Sequence, residues 1–308
     1  MADRKLNKKA CIGIITVPLS PNKKYYQVCG DSYISTAHIH MLKRVGLGVI
    51  AIPYTIGDDK FQYYMDRVNG LYFPSGGVFA VNNLDYYNCC KRFMHLAMQA
   101  NDSGRHFPIW GVCMGMQQMM MIADGNDDLN LLEEFDSFGN LMSTLEFPTD
   151  PRETQLLKNV SSDFLQRLQR EECTLNNHKM GLSTKTFMNN PRVSKLFRIV
   201  SASKDRIGQE YVSIIEAFKY PFYGFQWHPE RNNEMDYLVS VFSQDAEKNK
   251  RTKTIANIDK LPFRRVHCMN YSGQIYKFCN FYWHNRTSYH NAELCTVLNL
   301  GKPIGSGI

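Results

Sequence analysis

Phe107-Pro108-Ile109-Trp110-Gly111-Val112-Cys113-Met114-Gly115-Met116-Gln117 is the stretch on which the reading of the fold turns. An apolar run, 107–112, passes through Gly-x-Cys-x-Gly into a helix-period segment, 114–123. A strand that enters a helix by one sharp turn leaves no room for side chains at Gly111 and Gly115. The same turn projects Cys113 into solvent at the sheet edge, beside a helix N-terminus that favours a thiolate. The backbone N–H of Met114 then points to where a tetrahedral oxyanion would form.

Upstream, the same alternation repeats. Residues 11–17, 48–53 and 70–73 read as strands, and 34–45, 59–68 and 84–99 as helices. In 34–45, Ile34, Ala37, His38, Met41, Leu42 and Val45 recur at helical spacing, and Gly46 follows as a stop signal. Strands separated by helices of this length argue parallel βαβ units. The expected fold class is therefore α/β, a doubly wound, mostly parallel sheet with helices on both faces. Downstream, 133–146 and 199–217 are β-rich, 222–227 is a short strand and 233–248 a helix. No linker signal occurs before about residue 250. One domain over 10–250 is expected, with a C-terminal extension after it.

Composition narrows the function classes. The chain has 308 residues, 44% hydrophobic and 21% charged, which excludes a disordered or collagen-like protein. No apolar run approaches the roughly 20 residues of a membrane span, and the N-terminus has no secretory cleavage pattern. A cytoplasmic location and no membrane partner are the expectations. Asn-x-Ser/Thr sequons at Asn101, Asn159, Asn270 and Asn285 keep a secretory history open. Nine cysteines without a CxxC pair suggest neither a disulfide scaffold nor zinc, so no metal is expected. The net charge of +7 resides in 246–308, where ten Lys/Arg face three Asp/Glu. These basic residues are interleaved with aromatics and match no nucleic-acid motif, so a solvated face is expected and no nucleic-acid partner.

In an open parallel sheet, ligands sit beyond the carboxyl ends of the strands. A second candidate falls at such an end, Tyr223-Gly224-Phe225-Gln226-Trp227-His228-Pro229-Glu230. An imidazole can take a thiol proton, and a carboxylate can orient that imidazole. In an extended segment, His228 and Glu230 emerge on one side, with Pro229 fixing the backbone between them.

Together, the elbow and Gln-Trp-His-Pro-Glu resemble the class I glutamine amidotransferase superfamily, with its Cys-His-Glu triad. Three stretches narrow the resemblance to the γ-glutamyl hydrolases (folate conjugases). They are residues 107–115, the segment Asn177-His178-Lys179 with Leu182-Ser183 and Phe187-Met188-Asn189, and residues 216–230. The similarity covers roughly 10–283 and includes Tyr271-Ser272-Gly273. Residues 284–308 match nothing recognised and form a tail of unknown role.

The resemblance implies Cys113 as nucleophile, His228 as general base and acid, and Glu230 as its orienter. Phe73-Pro74-Ser75-Gly76-Gly77 resembles the family's oxyanion turn, with Ser75 in place of the usual first glycine. Gly76 and Met114 would donate the two backbone N–H groups. His178, Gln117, Gln226 and Trp227 would line the substrate. The hydrolase elbow usually continues with a glutamate at the position of Gln117, and amidotransferases commonly have glutamine there. The implied activity is hydrolysis of γ-glutamyl amide bonds in folyl- or antifolyl-poly-γ-glutamates, without a cofactor and possible as a homodimer. Basic residues of the tail could attract such an anionic chain. A glutaminase that works with a separate synthetase, and a catalytically idle binding module, stay open as alternatives.

Overall fold

Five consecutive buried residues, Cys11–Ile15, form the first strand, β1. Such a run fits a strand covered on both faces. In the computed structural model, residues 10–19, 32–77, 83–126 and 130–249 are described, together with the backbone of 266–269 and 275–277. After β1 come β2 (Val17–Pro18), β3 (Ser32–Ser35), helix α1 (Thr36–Arg44) and β4 (Gly48–Ile52). Then follow α2 (Asp58–Met65), β5 (Gly70–Phe73), α3 (Leu84–Asp102), β6 (Ile109–Val112) and α4 (Met114–Asp124). The second half contains β7 (Glu133–Ser143), α5 (Ser162–Arg170), β8 (Thr174–Gly181), α6 (Thr184–Asn189) and α7 (Pro191–Leu196). It continues through β9 (Phe197–Lys204), β10 (Glu210–Ala217), β11 (Phe222–Phe225) and α8 (Asp236–Lys248).

The central sheet has seven strands in the order β4-β1-β5-β6-β11-β10-β9. The first five are parallel, and β10 and β9 close one edge as an antiparallel pair. This is the doubly wound, mostly parallel α/β sheet expected from the alternation. Its two faces bury separate cores. One gathers Phe61 of α2, Phe93 of α3 and the methionines 116, 119, 120 and 121 of α4. The other gathers Leu42 of α1, Leu238 and Phe242 of α8, and Leu165 of α5. The methionine cluster is therefore packing, as its helical spacing suggests.

The boundaries differ from the sequence expectation for identifiable reasons. The helix expected over 34–45 begins at Thr36, because Ser32–Ser35 pairs with Val17 and Pro18 in a second sheet. Helices α5, α6 and α7 are not foreseen by the sequence reading. They span six to nine residues, too few for periodicity to register. Asn190 ends one and caps the next, accepting from the backbone N–H groups of Arg192 and Val193 at 3.1 and 3.2 Å. β8 is likewise unforeseen; it forms an antiparallel pair with β7, apart from the main sheet. Of the extension expected over 251–283, two strands are described, β12 (Val266–Met269) and β13 (Ile275–Lys277). β12 runs parallel to β3. The tail 284–308 and Tyr271-Ser272-Gly273 lie outside the described residues.

Candidate active site

Three neighbouring strands, β5, β6 and β11, end at the same edge of the sheet, and each feeds one loop into the site. β6 ends in Cys113, whose φ of 49° and ψ of −107° lie outside the regions that side chains ordinarily adopt. Tight contacts hold it there. A Cβ on Gly115 would lie 1.9 Å from the carbonyl oxygen of Phe73, and one on Gly111 would lie 2.6 Å from Met119 Sδ. The Cys113 N–H donates to the carbonyl of Phe225 at 2.6 Å, which fixes the turn against β11. At the start of α4, the N–H of Met114 has no acceptor within the helix.

The loop after β5 contains Ser75 and Gly76. A Cβ on Gly76 would meet Met114 Cε at 2.8 Å, so this turn is packed onto the elbow. Ser75 needs no positive φ; Cys113 and Asn140 are the non-glycine residues that adopt one among the described residues. Its side chain instead enters a hydrogen-bond chain. Ser75 Oγ lies 2.8 Å from His38 Nε2 and 3.4 Å from Glu230 Oε1.

After β11, residues 228–230 do not continue as the extended segment expected. Pro229–Arg231 forms a 3-10 turn, because proline is suited to the first helical position. The turn folds Glu230 back so that its Oε1 lies 2.8 Å from His228 Nδ1. Burial opposes a charge on His228. The Glu230 carboxylate and the nearby Cys113 side chain outweigh it and raise the imidazole to about 10. Burial likewise opposes the Glu230 carboxylate, but His228 and His38 hold its pKa down at about 2.

The remaining expected residues divide. Gln226 reaches the elbow, with Nε2 3.7 Å from Cys113 Sγ. Its Oε1 accepts from Gln117 Nε2 at 3.2 Å, and the same amine donates to the Met180 carbonyl at 2.6 Å. Gln117 thus bridges the elbow helix to β8. His178 arrives on β8 and turns Nδ1 to the Met180 carbonyl at 3.0 Å. Burial keeps its ring neutral, with the pKa lowered to about 3, and leaves Nε2 as an unpartnered acceptor. Trp227 points the other way, into the core that contains Leu238 and Phe242, and meets Phe225 edge-on. Cys113 itself is only 5% exposed, beneath Gln226, rather than projecting into solvent.

Sequence reasoning missed His38 as part of the site. It occupies an apolar-stripe position of α1 and reads as core, yet it touches both Ser75 and Tyr72. An ionisable residue at a core position was the available signal.

A sequence profile of the peptidase C26 family matches residues 10–230. The probable gamma-glutamyl hydrolase 3 of Arabidopsis thaliana is 32% identical over 75% of this chain and 66% of its own length. The human gamma-glutamyl hydrolase is 30% identical over 73% of this chain and 68% of its own. Gamma-glutamyl hydrolase B of Dictyostelium discoideum is 28% identical over 78% and 67%. The aligned stretch thus spans about two thirds of each relative's length. Among solved structures, one assigned as part of a GMP synthase of Thermoplasma acidophilum superposes with a TM-score of 0.50 at 14% identity. The match covers 77% of this chain and 94% of the other, and so shows a shared fold. On the profile match, which takes in both the elbow and the His228–Glu230 turn, the chain belongs to the peptidase C26 family.

Proposed function

We propose that this protein is a cysteine hydrolase of γ-glutamyl amide bonds, acting on folyl- or antifolyl-poly-γ-glutamates. The observation that carries the reading is the convergence of Cys113, His228 and Glu230 at the ends of adjacent strands, with His228 held between the other two. A cysteine strained onto a helix N-terminus beside a readily protonated imidazole is equipped for nucleophilic attack. Curated relatives named gamma-glutamyl hydrolase support the choice of bond.

In this mechanism the Cys113 thiolate attacks the γ-carbonyl carbon, and the N–H groups of Gly76 and Met114 hold the oxyanion. The His228 imidazolium gives its proton to the leaving amine. The distal glutamate leaves as that amine; the neutral imidazole then takes a proton from water, which attacks the thioester, breaks its C–S bond and releases the shortened folyl-glutamate from Cys113 as the thiolate re-forms. Glu230 keeps Nδ1 engaged throughout, so that the other nitrogen faces the reacting atoms. His178, a neutral acceptor, can receive the α-N–H of the γ-glutamyl residue whose carbonyl is attacked.

Incubating the pure protein in parallel with folyl-pentaglutamate and with glutamine, and weighing the products by mass spectrometry, tests the reading. Shortened folyl-glutamates are expected. Ammonia from glutamine with the pentaglutamate untouched would instead identify a glutaminase.

A further inference from the structure

Glu230 is served from two directions. His228 donates to its Oε1 at 2.8 Å from one side, and Ser75 approaches the same oxygen at 3.4 Å from the other. Behind Ser75 stands His38, fully buried on α1, with Nε2 2.8 Å from Ser75 Oγ and Nδ1 2.8 Å from the hydroxyl of Tyr72 on β5. His38 Nδ1 also lies 3.8 Å from Glu230 Oε1. The direction of the protons follows from chemistry. An ionised carboxylate only accepts, so Ser75 points its O–H at Glu230. Ser75 Oγ must then accept from His38 Nε2–H, which leaves His38 Nδ1 to accept the Tyr72 hydroxyl. Burial holds His38 neutral, with its pKa down at about 4, and the Tyr72 hydroxyl stays a donor because burial raises its pKa well above the ordinary tyrosine range.

We propose that Ser75 and His38 are positioning residues, which form with Tyr72 a one-way hydrogen-bond chain that fixes the Glu230 carboxylate and ties it to the oxyanion turn. The inference rests on the Cys113–His228–Glu230 reading above. Ser75 is the residue that replaces the turn's usual first glycine, and His38 is the polar residue that breaks the stripe of α1. The two departures account for each other, because each supplies the other's partner. Since Gly76 is the next residue after Ser75, the orienter of the imidazole and the donor to the oxyanion share one anchor.

The groups that face Glu230 and His38 are His228 and Arg231 on the 3-10 turn, Ser75, Tyr72 on β5, and Cys113 beyond His228. Withdrawing the Ser75 donor from an acceptor-only carboxylate raises its pKa. The acid limb of the rate profile should therefore move to higher pH. The test measures kcat, KM and their pH dependence on folyl-diglutamate for Ser75→Ala, Ser75→Thr, His38→Phe, His38→Gln, Tyr72→Phe and Cys113→Ala. Ser75→Ala and His38→Phe are expected to lower kcat about three- to tenfold, with KM within about twofold. Both should move the acid limb upward. Ser75→Thr and His38→Gln retain the donors and should restore most of the rate. Tyr72→Phe, which changes no ring, should cost about two- to threefold. Should His38→Phe fail to fold, the Ser75 and Tyr72 variants decide alone. An unchanged kcat and pH profile in Ser75→Ala would overturn the proposal, as would a threonine variant as slow as the alanine one. A change confined to KM would also overturn it, by making Ser75 a wall of the substrate pocket. Activity surviving Cys113→Ala would overturn the triad reading itself, a result separable from all of these.

Discussion

The elbow at 111–115 and the turn at 228–230 meet in one site but are built by different physics. The elbow is held by steric exclusion. Its glycines are required by backbone atoms 1.9 to 2.9 Å from any Cβ placed there. The turn is held by polar contacts between residues far apart in the chain, Glu230 with Ser75 and Ser75 with His38. Exclusion leaves a compact signature in the sequence and is insensitive to pH. A polar network leaves no contiguous signature and titrates. Substitutions should therefore break the two halves in different ways.

The largest effect is expected at the atom that both halves serve. Cys113→Ala should lower hydrolysis by at least about a thousandfold, since it removes the nucleophile and leaves only binding and the oxyanion donors. Folding should survive, because the smaller side chain fits the same backbone. Iodoacetamide should label Cys113 ahead of Cys89 and Cys90, which lie in the core with their thiols raised by burial. Peptide mapping of the alkylated protein with a rate assay checks both statements. Equal labelling of the three cysteines with activity retained in the alanine variant would break the assignment.

Next comes the elbow's steric frame. Gly115→Ala forces a Cβ against the Phe73 carbonyl, so β5 and α4 must separate. A cost of about 2–4 kcal/mol is expected, at the upper end of overpacking effects because the obstacle is backbone. Urea unfolding at two pH values should give the same loss at both. A loss that depends on pH would mean that the elbow and the polar turn are not separable.

How much could be read in advance follows the same division. Gly111, Cys113, Gly115, His228 and Glu230 stand in two short segments whose residue types state their chemistry, and the alternation around them states the sheet. The hydrogen bond of His228 to Glu230 was anticipated although its backbone was not, because proline started a 3-10 turn instead of an extended segment. His38 was illegible because a helical stripe reports burial, not the partner waiting inside. β8 was illegible because its partner, β7, is about thirty to fifty residues away in the register Glu133 with Gly181 to Ser143 with Thr174.

The polar half should give stability an optimum. His38 and His178 have pKa values of about 4 and 3 in the folded chain, below the roughly 6.5 of an unfolded histidine. Folding favours their neutral rings, a contribution complete above about pH 6.5 and lost as pH falls toward those values. His228, raised to about 10, behaves oppositely. Its contribution is complete below about pH 6.5 and is lost as pH rises through 10. Glu230, at about 2, adds a further loss below about pH 4.3. The melting temperature should therefore peak near neutrality. His178→Phe should flatten its acid flank and His228→Asn its alkaline flank. Flanks that respond to neither substitution would remove the buried imidazoles as the cause.

The smallest effect separates two roles for Gln117. A glutamate there could pair with a substrate α-ammonium and lower KM. Gln117, however, spends its amine on two acceptors, the Met180 carbonyl at 2.6 Å and Gln226 Oε1 at 3.2 Å. An ionised glutamate has no proton for either. Gln117→Glu would place a carboxylate against both oxygens, and the relief open to Gln226 is to turn its amide over. That rotation takes Gln226 Nε2 away from Cys113 Sγ, 3.7 Å distant in this structure. The expected outcome is a fall in kcat of about three- to tenfold with KM little changed, the reverse of what an added ammonium contact would give. Kinetics on γ-glutamyl-p-nitroanilide, whose α-amine is free, and on its N-acetyl derivative distinguish them. The scaffold role predicts the same kcat loss for both substrates. A KM that falls for the free-amine substrate alone would show that position 117 reads the α-ammonium after all.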